Sequence, residues 1–500
     1  MREFNSSGYN VSKFNLMIYL VTENQSLENP RYKIITVEES LDILKDWKLV
    51  QFDTETSGID PHIAQLLCAQ FGNKEDQIVV DCLTIDILNY KNILQDKFII
   101  GQNLKFDIQF LYNYEIIPKR VYDTMIVEQL LYLGYPKGMI SFSLAAIADR
   151  RLKIDIDKSI RGQIIWRGLD PDVVEYAAND VKFLEDIMWS QVNDCKEKNC
   201  LIGAKLECTF VPVIAYLEWC GIKLDEEGWK KKMKNDQENL DKAINDLTQF
   251  VIEEPRLQEF ISIQGDLFTG FNNKVLINWS SSEQVVNVAK KLGFNTKTAD
   301  KQTGEEKDSV LEKVLKIQKG INDKFLELYF KYQEYAKVVS SFGQSQLNYV
   351  NPNTGRIHTT YKQLGAASGR MSCGSRQPNK ELAALKHIPT ADCTPVNMQQ
   401  LPANDETRSC FICEKGNKFV SCDFSALESR LGADIYEEKE MLHEFLEGSG
   451  DMHSLCAKLV FHKELEGIDV KDVKKLRPDL RKKVKGIELD EGAPRTEMYV

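Results

Sequence analysis

No stretch of this sequence is apolar enough, for long enough, to cross a bilayer. The longest candidate near the N-terminus, residues 14–21, is broken by Asn15 and falls far short of the roughly 20 residues a spanning helix needs. A small-residue cleavage site is also missing, so the sequence predicts neither signal peptide nor membrane anchor, and a cytosolic protein. There is no disulfide framework: the 12 cysteines follow no regular spacing, as expected of reduced, mostly buried thiols. Cys410 and Cys413 have CxxC spacing, but a zinc site needs a second such pair. Cys393 and Cys422 are only loosely placed to supply it, and two core thiols is the reading adopted. Positive charge is short as well. At −11 the average surface repels nucleic acid, so binding it would need locally concentrated basic residues. Neither repeats nor low-complexity tracts occur. With 43% hydrophobic and 28% charged residues, fibrous, collagen-like and largely disordered classes are excluded. What is present is 500 residues, too many for one core and enough for two to four domains.

Residues 1–30 are polar and irregular, and read as an N-terminal extension or an added edge strand. Residues 31–198 alternate short apolar runs with helical patterns, which predicts an α/β domain built on a sheet. Its expected strands are 47–54, 66–72, 77–81 and 98–101, and its helices 105–112, 124–133 and 171–196. Residues 199–349 turn to long, charged, amphipathic helices at 226–250, 282–292 and 309–342, with loop-rich inserts at 254–279 and 296–307. Residues 350–500 return to a mixed pattern with a strand at 418–423.

Two constellations carry chemistry. In the first, Asp53 and Glu55 stand at i and i+2 near a strand end, which puts both carboxylates on one face of the sheet. Asn103 and Asp107 are four apart at a helix start, and Tyr176 and Asp180 are one helical turn apart. Acidic residues converging from three segments suit hard divalent cations. Two such ions about 3.5–4 Å apart can activate a water and stabilise a leaving phosphodiester oxygen. Each piece alone also fits a solvated acidic face. In this order and spacing they resemble the three motifs of the DEDD 3′→5′ exonucleases, in the subtype with tyrosine in the third motif. The resemblance covers roughly residues 45–190 and extends to Gly101-Gln102-Asn103, Tyr122-Asp123-Thr124 and Ser143-Leu144. It implies that Asp53, Glu55, Asp107 and Asp180 ligate metal, that Tyr176 orients the attacking water, and that Asn103 touches substrate.

In the second, Trp219-Cys220-Gly221 is followed by Ser368-Gly369-Arg370-Met371-Ser372, Asn397-Met398-Gln399 and Asp423-Phe424-Ser425-Ala426-Leu427-Glu428. An aspartate ending a strand is in isolation most often a helix N-cap. The ordered run, however, resembles the family A DNA polymerases, the DNA polymerase I type, with a proofreading exonuclease attached. That resemblance implies an α/β, ribonuclease H-like exonuclease domain, then an α-helical thumb, then an incomplete α+β palm and the start of the fingers. It makes Asp423 the first of two catalytic palm aspartates and a metal ligand. It makes Glu428 the residue that excludes a ribose 2′-OH, and Arg370, Asn397 and Gln399 contacts to primer–template. Ala426 departs from the family, which usually has Gln there. Asp451-Met452-His453 precedes the fingers, and residues 471–485 hold eight basic residues against Asp472 and Asp479. Arg481 and Lys485, one turn apart, match the triphosphate-binding spacing.

Two Mg²⁺ or Mn²⁺ ions per active site are implied, with primer–template DNA, single-stranded 3′ ends and dNTPs as partners. Lys230, Lys231, Lys232 and Lys234 are expected to form a basic surface running to Arg370. After Lys485 the rest of the fingers and the second palm aspartate do not follow, so the sequence predicts weak polymerase activity alone and a complementary polypeptide that carries them. A stand-alone exonuclease with a DNA-gripping remnant and a non-catalytic replication subunit are the alternatives.

Overall fold

The structure is a computed structural model and describes residues 17–476, apart from 137, 157–159, 161, 267–269, 300–304, 319, 375–376, 464, 471 and 474. Arg481 and Lys485 lie outside the described residues. The chain divides into two compact units, one formed by residues 1–242 with 333–414, the other by 243–332 with 415–500. No described helix is long and apolar enough to cross a membrane.

The first unit is built on a seven-stranded sheet: β1 (Met17–Val21), β2 (Lys33–Ile35), β3 (Leu49–Thr56), β4 (Leu66–Gly72), β5 (Asp76–Asp81), β6 (Phe98–Gly101) and β7 (Arg120–Asp123), in the order β2-β1-β5-β4-β3-β6-β7. β3, β4 and β5 run antiparallel to one another in turn, while β6 lies parallel to β3 and β7 parallel to β6. The central strands bury both faces: Val50 and Phe52 on β3, Phe71 on β4 and Ile78, Val79 and Val80 on β5 are sealed from solvent. That is the expected result of covering a sheet on both sides.

Residues 17–21 correct one expectation. They are neither an extension nor an edge strand, because β1 pairs with both β2 and β5. Ile18, Leu20 and Val21 are buried there, so three short apolar side chains decide the placement against polar neighbours. The helix expected over 171–196 is two. In the first, Pro171–Asp180, Asp170 accepts from the amides of Asp172 and Val173 and proline occupies the first turn. The second is Leu184–Glu197. At the break, the freed Glu185 amide donates to the Gln51 side chain at 2.8 Å, while Val181 is fully buried.

Behind the sheet, helix Leu201–Cys220 leads into a smaller four-stranded sheet made from Ile222–Leu224, Val350–Asn351, Arg356–Ile357 and Phe411–Ile412. The fully buried Trp229 donates its indole N–H to the Gly343 carbonyl at 3.0 Å and packs on Phe411.

The second unit holds the end of helix Glu226–Glu253, helix Ser282–Lys291 and the first half of helix Asp323–Ser341, with Phe250, Phe294, Phe325 and Tyr329 packed ring to ring. The inserts are not simple loops. Ile261–Asp266 pairs antiparallel with Gly270–Val275, and Lys297–Ala299 with Glu306–Asp308. The helix expected over 309–342 is broken, since Gly320 takes φ +99° between Glu312–Leu315 and Asp323–Ser341. Residues 418–423 are irregular rather than a strand. A strand exists only through a ladder to a neighbour, and among the described strands none pairs with this segment.

Candidate active site

For the helices of the first unit that position the site, we write α1 for Leu104–Tyr112, α2 for Thr124–Leu131 and α3 for Pro171–Asp180. Strand geometry sends Asp53 and Glu55 to one face of β3, and α3 ends at Asp180. The three half-buried carboxylates converge, with one oxygen from each lying within 4.8 Å of the others. Tyr176, one turn before Asp180, shares with it an adjoining cleft of ≈ 370 Å³ that also takes in Asn179, Phe183 and Ile156.

Asp107 stands apart from this trio. It is 2% exposed and accepts from the Thr54 hydroxyl at 2.6 Å. Thr54 belongs to the opposite face of β3 from Asp53 and Glu55. Burial, only partly offset by that hydrogen bond, pushes the Asp107 carboxyl well above the usual carboxylate range. Asn103 is the N-cap of α1 in left-handed backbone, φ 62° and ψ 42°. It lines, with Lys105 and Phe106, a second cleft of ≈ 680 Å³.

Two carboxylates that spacing alone does not single out hold these elements. Asp123, fully buried, accepts from the amides of Asn103 (3.1 Å), Leu104 (2.8 Å), Met125 (2.9 Å) and Ile126 (3.2 Å). One side chain thus caps both α1 and α2. Glu218, 6% exposed, accepts from Lys105 Nζ and Gln109 Nε2 of α1, both at 2.7 Å, and from the Tyr361 amide at 2.5 Å. The partners of Glu218 lie 109 to 143 residues away in sequence, so no local pattern marks it, while Asp123 bonds its own helix start and one 20 residues back. The position of Asp123 ahead of a helix is the one available signal.

Of the second constellation, the structure brings Asn397, Gln399 and the Arg370 segment together. Gln399 Nε2 donates to the Met371 carbonyl at 3.2 Å, and Asn397 caps the turn Met398–Gln400. Arg370 is exposed. Asp423, Glu428 and His453 fall in the other unit. Asp423 is exposed in the irregular segment, Glu428 sits in the first turn of Leu427–Ile435, and His453 follows the capping Asp451 on Met452–Val460. Ala426 takes left-handed backbone, φ 53°, ahead of that first turn, which is unusual for a residue with a Cβ.

The lysine surface needs correcting. Lys232 is buried, paired with Asp236 at 2.5 Å and set over the Trp229 ring. Lys230 pairs with Glu227 and Lys234 with Glu238. An isolated basic run in a helix is offset here by carboxylates three and four residues away.

Comparison with known proteins accords with this geometry. Residues 32–190 match the 3′-5′ exonuclease family and residues 259–488 match DNA polymerase family A. DNA polymerase I of Aquifex aeolicus is 29% identical over 465 residues, spanning 87% of this chain and 69% of the relative. That of Borreliella burgdorferi is 26% identical over 485 residues, spanning 92% of this chain and 47% of the relative. Thus the chain spans about seven tenths of one relative and about half of the other. A Pol1 polymerase domain from M. smegmatis, solved with DNA primer-template and dNTP, superposes with a TM-score of 0.64 at 18% identity, over 90% of this chain and 70% of that one. At that identity the likeness is one of fold. Family matches, relatives and fold agree: the chain carries a 3′-5′ exonuclease-family segment at 32–190 followed by a DNA polymerase family A segment at 259–488.

Proposed function

We propose that this chain is a DNA-dependent DNA polymerase whose proofreading 3′→5′ exonuclease site is formed by Asp53, Glu55, Asp107, Tyr176 and Asp180. The convergence of three carboxylates from β3 and α3 carries this reading. The nuclease domain takes in residues 31–198 together with β1 (Met17–Val21), with 199–349 read as a thumb-like region and 350–500 as part of palm and fingers.

The donor set fits a divalent ion: half-buried carboxylate oxygens and no sulfur or imidazole, which is the chemistry of Mg²⁺ or Mn²⁺ sites. Asp53, Glu55 and Asp180 would hold one ion. Asp107 lies outside this trio, bonded to the Thr54 hydroxyl, and would have to exchange that bond for an ion to serve as the fourth carboxylate of a two-ion site. When bound, such ions stabilise negative charge on the attacking and leaving oxygens of a phosphodiester. Tyr176 supplies a phenol at the edge of the cleft to orient the attacking water, and Asn103 contacts the nucleotide at the 3′ end. In the polymerase part, Asp423 is a metal ligand and Glu428 blocks the 2′ position. Arg370, Asn397 and Gln399 contact primer–template, while His453 is a substrate-binding residue and Arg481 and Lys485 bind the triphosphate.

The test is a 5′-labelled single-stranded oligonucleotide incubated with the full chain and Mg²⁺ or Mn²⁺. Stepwise shortening from the 3′ end is expected, and it should vanish in Asp53→Ala/Glu55→Ala. A double variant that degrades DNA as fast as the parent refutes the assignment.

A further inference from the structure

The turn that leaves β3 is held by side chains from far along the chain. Glu381, in the first turn of the short helix Lys380–Leu385, lies 322 residues beyond Ile59 and accepts from its amide at 2.7 Å. Its second oxygen accepts from the Asp60 amide at 2.8 Å. Asn379, the cap of the same helix, donates to Asp60 Oδ2 at 3.1 Å, and Asn353 donates to the His62 carbonyl at 3.1 Å. The Glu381 carboxylate comes so close that a Cβ on Gly58 would stand 2.5 Å from Oε1. Gly58 is not in left-handed backbone, so a Cβ there would meet no conformational strain and would act by pushing the end of the Glu381 side chain aside.

On its other side this turn is tied to the candidate metal site. The ladder between β3 and β4 shifts register between Glu55 and Thr56, resumes with Thr56 opposite Leu66 and ends where the Ser57 amide donates to the Gln65 carbonyl at 2.9 Å, so beyond Ser57 the sheet no longer dictates the path of the chain. The Thr56 hydroxyl donates to the Gly58 carbonyl at 2.6 Å, linking the residue after Glu55 to the turn. Ile59, 67% exposed, lines the cleft that also holds Asn103 and Phe106. Two amides donating to one carboxylate form charge-assisted hydrogen bonds, stronger than neutral ones.

We propose that Glu381 is a positioning residue for the 3′→5′ exonuclease. From within the polymerase-family segment it fixes the Gly58–Asp60 turn. Through Thr56 it fixes the aim of the Glu55 carboxylate, and through the turn itself the place of Ile59 at the cleft. This rests on the exonuclease reading above.

The experiment uses the full chain and measures kcat and KM for single-stranded DNA hydrolysis with Mg²⁺, alongside the melting temperature. Glu381→Ala should lower kcat/KM by roughly ten- to a hundredfold, the range that a misplacement of about 1 Å produces. Glu381→Gln should lose less, because it keeps one acceptor oxygen. Gly58→Ala should give a similar loss by displacing the carboxylate, and should add nothing in the Glu381→Ala background, where the obstructing group is gone. Additive losses, or variants that melt earlier while kcat and KM stay at parent values, would overturn the proposal. A parent that does not hydrolyse DNA would refute the exonuclease reading and this proposal together. An active parent with an unchanged Glu381→Ala would refute the proposal alone.

Discussion

Replacing Asp53 by Asn should make the metal-free protein more stable and the metal-loaded protein less so. Three carboxylates offer oxygens within 4.8 Å of one another. A pair of unit charges at that distance repels by about 0.9 kcal/mol in bulk water and about 3.5 kcal/mol at an effective dielectric of 20. The half-buried cluster lies between these limits, and Asp53 has two such neighbours. Neutralising it should therefore relieve about 2 kcal/mol at the high-dielectric limit. For the first unit, 1–242 with 333–414, that corresponds to about 3 °C in melting temperature. With Mg²⁺ the order reverses. An ion at about 100 times its dissociation constant stabilises the parent by about 2.7 kcal/mol, and a site missing one ligand gains much less. Scanning calorimetry in EDTA and across a Mg²⁺ titration should show the two curves crossing, with single-strand hydrolysis falling at least about a thousandfold in the variant. If Asp53→Asn lowers the melting temperature in EDTA, or if Mg²⁺ raises parent and variant equally, these carboxylates are not a mutually repelling metal site.

Two further expectations concern other parts of the first unit. His358 and His62 stack with ring centroids 4.1 Å apart. Burial, then the charge of His62, lowers the His358 pKa to about 4, and burial lowers that of His62. Because the folded values lie below the unfolded value of about 6.5, the stability they contribute is complete above pH 6.5 and is lost as pH falls toward 4. For His358 this amounts to about 3 kcal/mol, so urea midpoints should drop across that window and His358→Gln should flatten the slope. If Arg370, exposed beside the Asn397–Gln399 turn, contacts a primer–template phosphate, Arg370→Ala should weaken binding and reduce the slope of log affinity against log salt by about one. Fluorescence anisotropy at several salt concentrations reads both, and an unchanged slope removes Arg370 from the interface.

The convergence of Asp53, Glu55 and Asp180 was legible because each rests on a local periodicity. Asp53 and Glu55 obey the two-residue repeat of a strand, and Tyr176 and Asp180 the turn of a helix. The placement of β1 inside the sheet was not legible, since its two parallel partners are set by pairings with β2 and β5 that its own five residues do not encode. Residues 418–423 misled for the converse reason: an apolar alternation proposes a strand, but only a partner ladder makes one. Glu218 and Glu381 were hidden by distance along the chain, their hydrogen bonds spanning 109 to 322 residues. Lys232 was counted in a basic face although the residues that bury and pair it, Trp229 and Asp236, stand within about one helical turn on either side; the local pattern was there and the run of lysines obscured it.

The double cap at Asp123 has a consequence for motion. Its carboxylate serves the first amides of both α1 and α2, so neither helix can fray at its start without loosening the anchor of the other. The two helix beginnings therefore behave as one cooperative element, opening together or not at all. Asn103 and Asp107 ride on the start of that element, which keeps one wall of the cleft stiff, while the turn that follows β3 combines backbone bonds of its own with side chains that reach it from far along the chain.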